Sequence, residues 1–237
     1  MTPADSDAVE TPARRPPGRP RVPFDRILTT ALHIIDEQGA DALSMRTLAQ
    51  RLDTGTAVLY RAVANRAELI AHVVDWVLGE IDIGDDEIGE DWQRACTAAA
   101  EAIFSVLYRH PGIAPLLIAQ VPIGPHSLVL RERVLAMLLV HGFSPKSAAL
   151  AYATIARYAI GFAAQLEGHS TAATIDPASL SALFHRLDPA QFPATIAVAD
   201  HLPAQTLESE FHFGLRLLVA GLVPLRCGVG QPNSDTL

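Results

Sequence analysis

The chain has 237 residues, 49% of them apolar and 6% aromatic, enough to bury a helical core in one or two domains. Its formal charge of −8 speaks against a nucleic-acid partner until it is resolved by position: residues 14–66 hold nine arginines against five acids, whereas 67–237 hold nine bases against eighteen acids. No apolar run approaches the roughly 18 residues of a bilayer span, and the start MTPADSD is unlike a secretory leader, so a cytoplasmic chain without a membrane partner is expected.

Residues 1–22 are rich in Pro, Ala, Asp and Arg and read as a disordered arm. Arg14, Arg15, Arg19 and Arg21 stand among prolines in RRPPGRPR, a spacing suited to a minor groove, with Arg19 and Arg21 the candidate contacts; a solvated tail is the alternative. Residues 23–70 read as a compact head. Its first helix opens at Phe24 with Ile27, Leu28, Ala31, Leu32 and Ile35 inward, and stops at Gly39. Ser44 is placed to cap a second helix, whose Met45, Leu48, Ala49 and Leu52 share one face. Asp53-Thr54-Gly55 breaks it, and a short third helix follows from Thr56 to about Ala62, with Leu59 turned back onto the second. Two short helices across a three-residue turn make a helix-turn-helix.

In that motif the second helix enters the major groove while the first crosses the phosphate backbone. Gly55, Thr56, Ala57 and Val58 are small enough to go deep, and Thr56 or Ala57 can meet a thymine methyl. Arg46, Tyr60, Arg61 and Arg66 supply donors for phosphates, with Ser44, Thr54 and Asn65 at the flanking helix ends. The candidate partner is double-stranded operator DNA.

Ile27, Ala31 and Gly39, the run SMRTLAQRL, the pair Leu59-Tyr60 and the run Asn65-Arg66-Ala67-Glu68-Leu69 resemble the N-terminal domain of tetracycline-repressor-type (TetR family) regulators. The turn departs from that family, which usually shows Leu-Gly-Val-Ser where this chain has Leu52-Asp53-Thr54-Gly55. Asp53 then falls where a positive φ is wanted, a conformation Asp tolerates better than most residues, and a capping Ser is lost.

Residues 71–226 read as a second, larger all-helical domain, and 227–237 as a loose tail. Asn65 with Glu68 opens a fourth helix through Leu69, Ile70, Val73, Val74, Val77 and Ile81, which joins head to body. The acidic loop at 82–91 marks the junction. Helices are then expected over Trp92–Arg109, Ile113–Ala119, Ser127–Val140, from Ser144-Pro145 to about Leu166, and over Glu208–Leu222, with His110-Pro111-Gly112 as a stop. The two cysteines, Cys96 and Cys227, lie far apart without neighbours at metal spacing and read as buried or idle thiols.

The spacing HPG...P..I, then GFS before an Ala-rich helix with Gly161-Phe162, and finally FHFGLRLLVAGL resemble the ligand-binding domain of tetracycline repressors. The resemblance implies a homodimer built on a four-helix bundle, with Tyr152, Ile155, Ala159, Ala163, Phe211, Leu215, Leu218 and Leu222 at the interface; intrachain core is the alternative for the same stripes. It also implies an inducer bound as a metal chelate, but the places of the ligating His and acid hold Leu117 and Gln165, so no metal and no fixed cofactor are expected. The candidate effector contacts are Phe104, Tyr108, His110, Leu117 and Leu138, around an apolar pocket for an unknown small molecule. The reading is an all-α, ligand-responsive repressor, with an activator or a constitutive architectural DNA binder as the alternative; no nucleophile, base and orienting group can be assembled for an enzyme.

Overall fold

The structure, a computed structural model, describes residues 22–84, 91–171 and 176–226. The basic arm with Arg14, Arg15, Arg19 and Arg21, most of the acidic loop, and the tail with Cys227 lie outside the described residues. Those described form eleven α-helices joined by short turns, and the one extended pairing among them is an isolated antiparallel bridge between Phe143 and Arg226. No single described helix is long and apolar enough to cross a membrane.

The head holds α1 (Phe24–Gln38), α2 (Met45–Arg51) and α3 (Thr56–Leu59). α1 buries Ile27, Leu28, Ala31, Leu32, Ile34 and Ile35 and ends where the Gly39 N–H closes on the Ile35 carbonyl. The Ser44 hydroxyl caps α2 by accepting from the Thr47 N–H at 3.0 Å. Asp53 has φ 48°, the only described non-glycine residue at positive φ, as its place in the turn predicted. α3 is shorter than expected: its α-helical part closes at Leu59 and the chain continues as turn to Ala62. Gly55 heads it in an extended conformation without a side-chain cap.

α4 (Arg66–Leu78) packs on α1 at one end and on α7 (Pro125–Val140) at the other, so it belongs to both halves of the molecule. The Asn65 side chain caps it through the Glu68 N–H, while the Glu68 carboxylate reaches back to the Ala64 N–H. It stops three residues before Ile81, the end expected from apolar spacing. Ile81 and Ile83 remain buried, but outside any helix, and the Ile83 carbonyl accepts from Arg133 of α7 at 2.6 Å. A continuing apolar pattern therefore marked continuing burial, not continuing helix.

The body is assembled around α8 (Pro145–Thr171), which packs against α5 (Trp92–Arg109), α6 (Ala114–Ala119), α7 and α11 (Leu207–Gly221). Small residues make this possible: Ala148, Ala151, Ala159 and Ala163 of α8 are buried, as are Ala95, Ala99 and Ala100 of α5. Phe211 of α11 fills the remaining space, stacked on Phe104 at 4.2 Å between centroids and flanked by Tyr158 and Phe162. α9 (Pro177–His185) and α10 (Pro193–Ala197) make a side excursion with no buried residue in either helix.

One polar contact ties α4 to the body. Asp75 is almost wholly buried, and its carboxylate accepts from the Ser127 N–H at 3.0 Å, the His126 N–H at 3.2 Å and His126 Nδ1 at 2.9 Å. It thereby satisfies donors that the first turn of α7 leaves without helical partners, and places a negative charge at the positive end of the helix. Gly124 permits the approach, since a Cβ there would stand 2.2 Å from the Asp75 carboxyl carbon. Burial pushes the Asp75 carboxyl upward, but the Ser127 N–H, the His126 side chain and the His126 N–H outweigh it and hold it below its ordinary value.

A carboxylate with a depressed pKa stabilises the fold above its unfolded pKa, 3.8 for this aspartate, and that contribution is lost as pH falls through the lower, folded value. Asp75→Asn is expected to cost about 1–3 kcal/mol at neutral pH. In urea titrations the gap to the parent should narrow as pH is taken from about 4 downward, and a gap that widens there would contradict the assignment. In the head, a Cβ on Gly55 meets nothing within 4 Å. Gly55→Ser is therefore expected to raise unfolding stability by about 0.5–1 kcal/mol, through a new cap and a less flexible unfolded chain. A loss of stability would show that α3 does not start there.

Candidate DNA interface and effector cavity

The helix-turn-helix holds together through Leu48 and Ala49 of α2 and Leu52 at its C-terminal cap, packed with Leu59 of α3, all buried. That packing leaves Thr56 and Tyr60 together on the outer side of α3, beside Ala57 and Arg61, each pair one helical turn apart. All four are exposed, Tyr60 to 54%, as are Gly55 and Arg46. Thr54 is half-buried and its N–H bonds the Ala49 carbonyl. Arg46 and Arg61 have no ion-pair partner among the described residues, whereas Arg51 is joined to Glu37 at 2.8 Å. That guanidinium holds the Glu37 carboxyl below its ordinary range. Thin residues at the centre with unengaged cations beside them are what a groove-inserted helix requires.

Arg66 departs from the expectation of a phosphate donor. Its Nε bonds the Leu43 carbonyl at 2.6 Å and its Nη2 the Ala40 carbonyl, so it fastens the turn between α1 and α2 to the start of α4. The Ala40 and Leu43 carbonyls stand at the start and just past the end of a 3-10 turn, Ala40–Ala42; the first already accepts from the Leu43 N–H at 3.2 Å, and the guanidinium brings a charged donor to each. Ser44 and Asn65 likewise spend their side chains on capping, which leaves position rather than free hydrogen-bonding capacity as their contribution.

The head rests on the body at a second place besides Asp75. His110, at the end of α5, points its Nδ1 at Asp36 of α1 at 2.8 Å and its Nε2 at Glu80 at 3.5 Å, and Arg109 reaches Glu80 at 3.1 Å. Beside it Gly112 lies against α1: a Cβ would come within 2.7 Å of the Ile35 side chain and 2.9 Å of its carbonyl oxygen. His110, expected as an effector contact, thus belongs to the seam between the halves. Its place beside a helix-stopping Pro-Gly pair made it conspicuous without telling which way it faced.

A cavity of about 190 Å³ lies in the body between α4, α6, α7 and α8. Leu78 of α4, Leu117 of α6, Leu130 of α7 and Ile160 of α8 form apolar walls, and Arg131, Tyr152 and Arg157 bring polar groups to it. Leu117 is the one expected effector contact that lines it. Phe104 and Tyr108 border a separate surface groove with Glu101 and His212, and Leu138 is fully enclosed core. These two aromatic residues sit on the stripe of α5 that turns toward α11, whereas the cavity opens on the side of Ile103. Cys96 is buried and its thiol pushed up to about 12 by desolvation, an inert group as expected. Among the described residues no group of three His, Cys, Asp or Glu side chains could hold a metal.

The expected dimer stripe requires correction. Ile155, Ala159, Ala163, Phe211 and Leu215 are buried within a single chain, and Tyr152 lines the cavity. Leu218 and Leu222 are half-buried and edge an open furrow with Tyr158, Gly214, Leu217 and Gly221. The Ala-rich stripe of α8 faces inward because α5, itself Ala-rich, can approach it closely. The outward faces of the two helices carry Leu150, Thr154 and Gly161 on α8, and Phe213 and Leu217 on α11, the last two 59% and 60% exposed.

Residues 27–73 match the family of bacterial regulatory proteins of the tetR family, and residues 86–225 match the tetracyclin repressor-like C-terminal domain. Over 215 residues the chain is 30% identical to an HTH-type transcriptional regulator of Saccharopolyspora erythraea, covering 89% of each. It is 28% identical over 203 residues to tetracycline repressor protein class E of Escherichia coli, covering 85% of this chain and 90% of that one. The crystal structure of the Streptomyces coelicolor TetR family protein ActR in complex with actinorhodin aligns with a TM-score of 0.76 at 32% identity, covering 87% of this chain and 98% of that one. A helix-turn-helix head with an open groove helix, joined by one shared helix to a cavity-bearing helical body, is thus matched at both ends: the chain belongs to the TetR family of transcriptional regulators.

Proposed function

We propose that the protein is a homodimeric repressor that leaves its operator DNA when a small molecule enters the body cavity. The observation that carries this is the double membership of α4: it packs on α1 in the head, while its last residue, Leu78, is a wall of the cavity and Asp75 grips the first turn of α7. A molecule that fits the cavity better with α7 displaced would move α4 through that grip, and α4 would tilt the head. Two heads must meet half-sites about one helical turn apart, so a small tilt in each removes both from register. An activator or an architectural binder with an inert body would be favoured by a filled interior, and the cavity weighs against it.

The effector in this reading is an organic molecule and not a metal chelate, supported by the apolar Leu117 where the resemblance places a ligating His. The protein acts in the cytoplasm, where its DNA is, and performs no catalysis. The dimer forms through the outward faces of α8 and α11, whose exposed Leu150, Phe213 and Leu217 would otherwise remain in water.

Arg46→Ala should weaken binding to every duplex and reduce the salt slope of log K by about one, whereas Thr56 or Ala57 replacements should change which sequence is preferred. Anisotropy titrations against a panel of duplexes at several salt concentrations measure both, and equal losses on all sequences for both sets would refute the division. Leu217→Arg should give a folded monomer in sedimentation and abolish operator binding at concentrations where the parent is dimeric. Leu215→Ala, in the core, should instead cost about 2–5 kcal/mol of stability. A dimeric Leu217→Arg protein would place the interface elsewhere.

A further inference from the structure

Arg131 and Arg157 are among the residues that line the cavity, and no Asp or Glu is. Arg131, from α7, is held in place: its Nη2 donates to the Pro122 carbonyl at 2.8 Å, its Nε lies 3.4 Å from the Tyr152 hydroxyl, and its guanidinium carbon sits 5.9 Å from the centre of the Tyr152 ring. Two of its five N–H groups are thereby directed, and the rest remain for another acceptor. Arg157, from α8, comes to the same cavity and has no ion-pair partner among the described residues. The Asp75 carboxylate touches the backbone of Ser127, a lining residue, but its oxygens are already engaged by three donors from His126 and Ser127.

A half-buried cation beside apolar walls loses hydration without gaining a counter-charge, so the arrangement favours an anion supplied from outside. A planar guanidinium fixed by a carbonyl and a phenol is preorganised for a carboxylate, which it can meet with two parallel hydrogen bonds. The remaining walls, Leu78, Leu117, Leu130 and Ile160 among them, suit a hydrocarbon body and not a polyanion. We propose that the effector is a monocarboxylate with an apolar, ring-sized body, its acid group bound between Arg131 and Arg157 and positioned by Tyr152. This inference rests on the effector-release reading and narrows it to a chemical class.

The test uses two probes of equal shape, 2-naphthoate and its uncharged amide 2-naphthamide, with the full-length protein. Affinities are read by ligand-observed NMR and isothermal titration. The parent is expected to bind naphthoate at least about tenfold more tightly than naphthamide, the preference weakening with salt. In Arg131→Gln and in Arg157→Gln the preference should fall to within about threefold, with naphthamide binding unchanged. Arg131→Lys should retain part of it. Arg157 is exposed, so its replacement leaves the fold intact even if loss of the Arg131 contacts to Pro122 and Tyr152 does not. Equal binding of the two probes, or a preference that survives both substitutions, overturns the carboxylate assignment while leaving an effector cavity in place. Failure of both probes to bind at millimolar concentration overturns the carboxylate and the cavity together.

Discussion

Among the described residues, the one buried charged group that locks the shared helix to the body is the carboxylate of Asp75. Asp75 projects from the shared helix α4 into the opening turn of α7, and its ionised state is preserved by three donors in spite of burial. A carboxylate so placed is costly to bury alone and stabilising when fully bonded, so it holds only one relative placement of α4 and α7 at low energy. The cavity wall formed by Leu78 of α4 beside Leu130 and Arg131 of α7 follows from that placement. The apolar surface of α4 supplies most of the burial energy, but apolar contacts tolerate sliding and the Asp75 grip does not.

The same logic explains the division of labour among the arginines. In the head, Arg51 and Arg66 are consumed by a carboxylate and by backbone carbonyls, and they keep the helix-turn-helix in shape. Arg46 and Arg61 stand outside it, exposed, where a polyanion can reach them. A net negative chain can therefore approach DNA through one small cationic face while its body stays away, because screening limits the reach of the acidic remainder to about 10 Å at moderate salt.

How far residues alone foretell this molecule depends on whether the signal is local. Ser44, Gly39, Asn65 with Glu68, and Ser144-Pro145 each announce a helix end by chemistry within four residues, and each sits where its type demands. Asp53 could be assigned a left-handed turn for the same reason. Facing is another matter. On α8 the Ala-rich stripe and the outward stripe are both apolar enough to be covered, and only the presence of an equally small-faced α5 decides which is buried. The cavity is farther from legible still, since Arg131 and Tyr152 are 21 residues apart and meet only after α7 and α8 have packed. A lone Asp within the apolar run VVDWVL was the available hint of Asp75, but its partners arrive 51 residues later.

The seam between α1 and the segment after α5 bears on which motions the head can make. Gly112 lies so near Ile35 that even a methyl group could not be added, and the His110 contact with Asp36 closes the same corner. The steric contact at Gly112 resists compression steeply and adds little against separation, which the His110–Asp36 hydrogen bond opposes, so the corner acts as a mechanical stop in one direction. At this corner the head has room to move away from the body but not further into it.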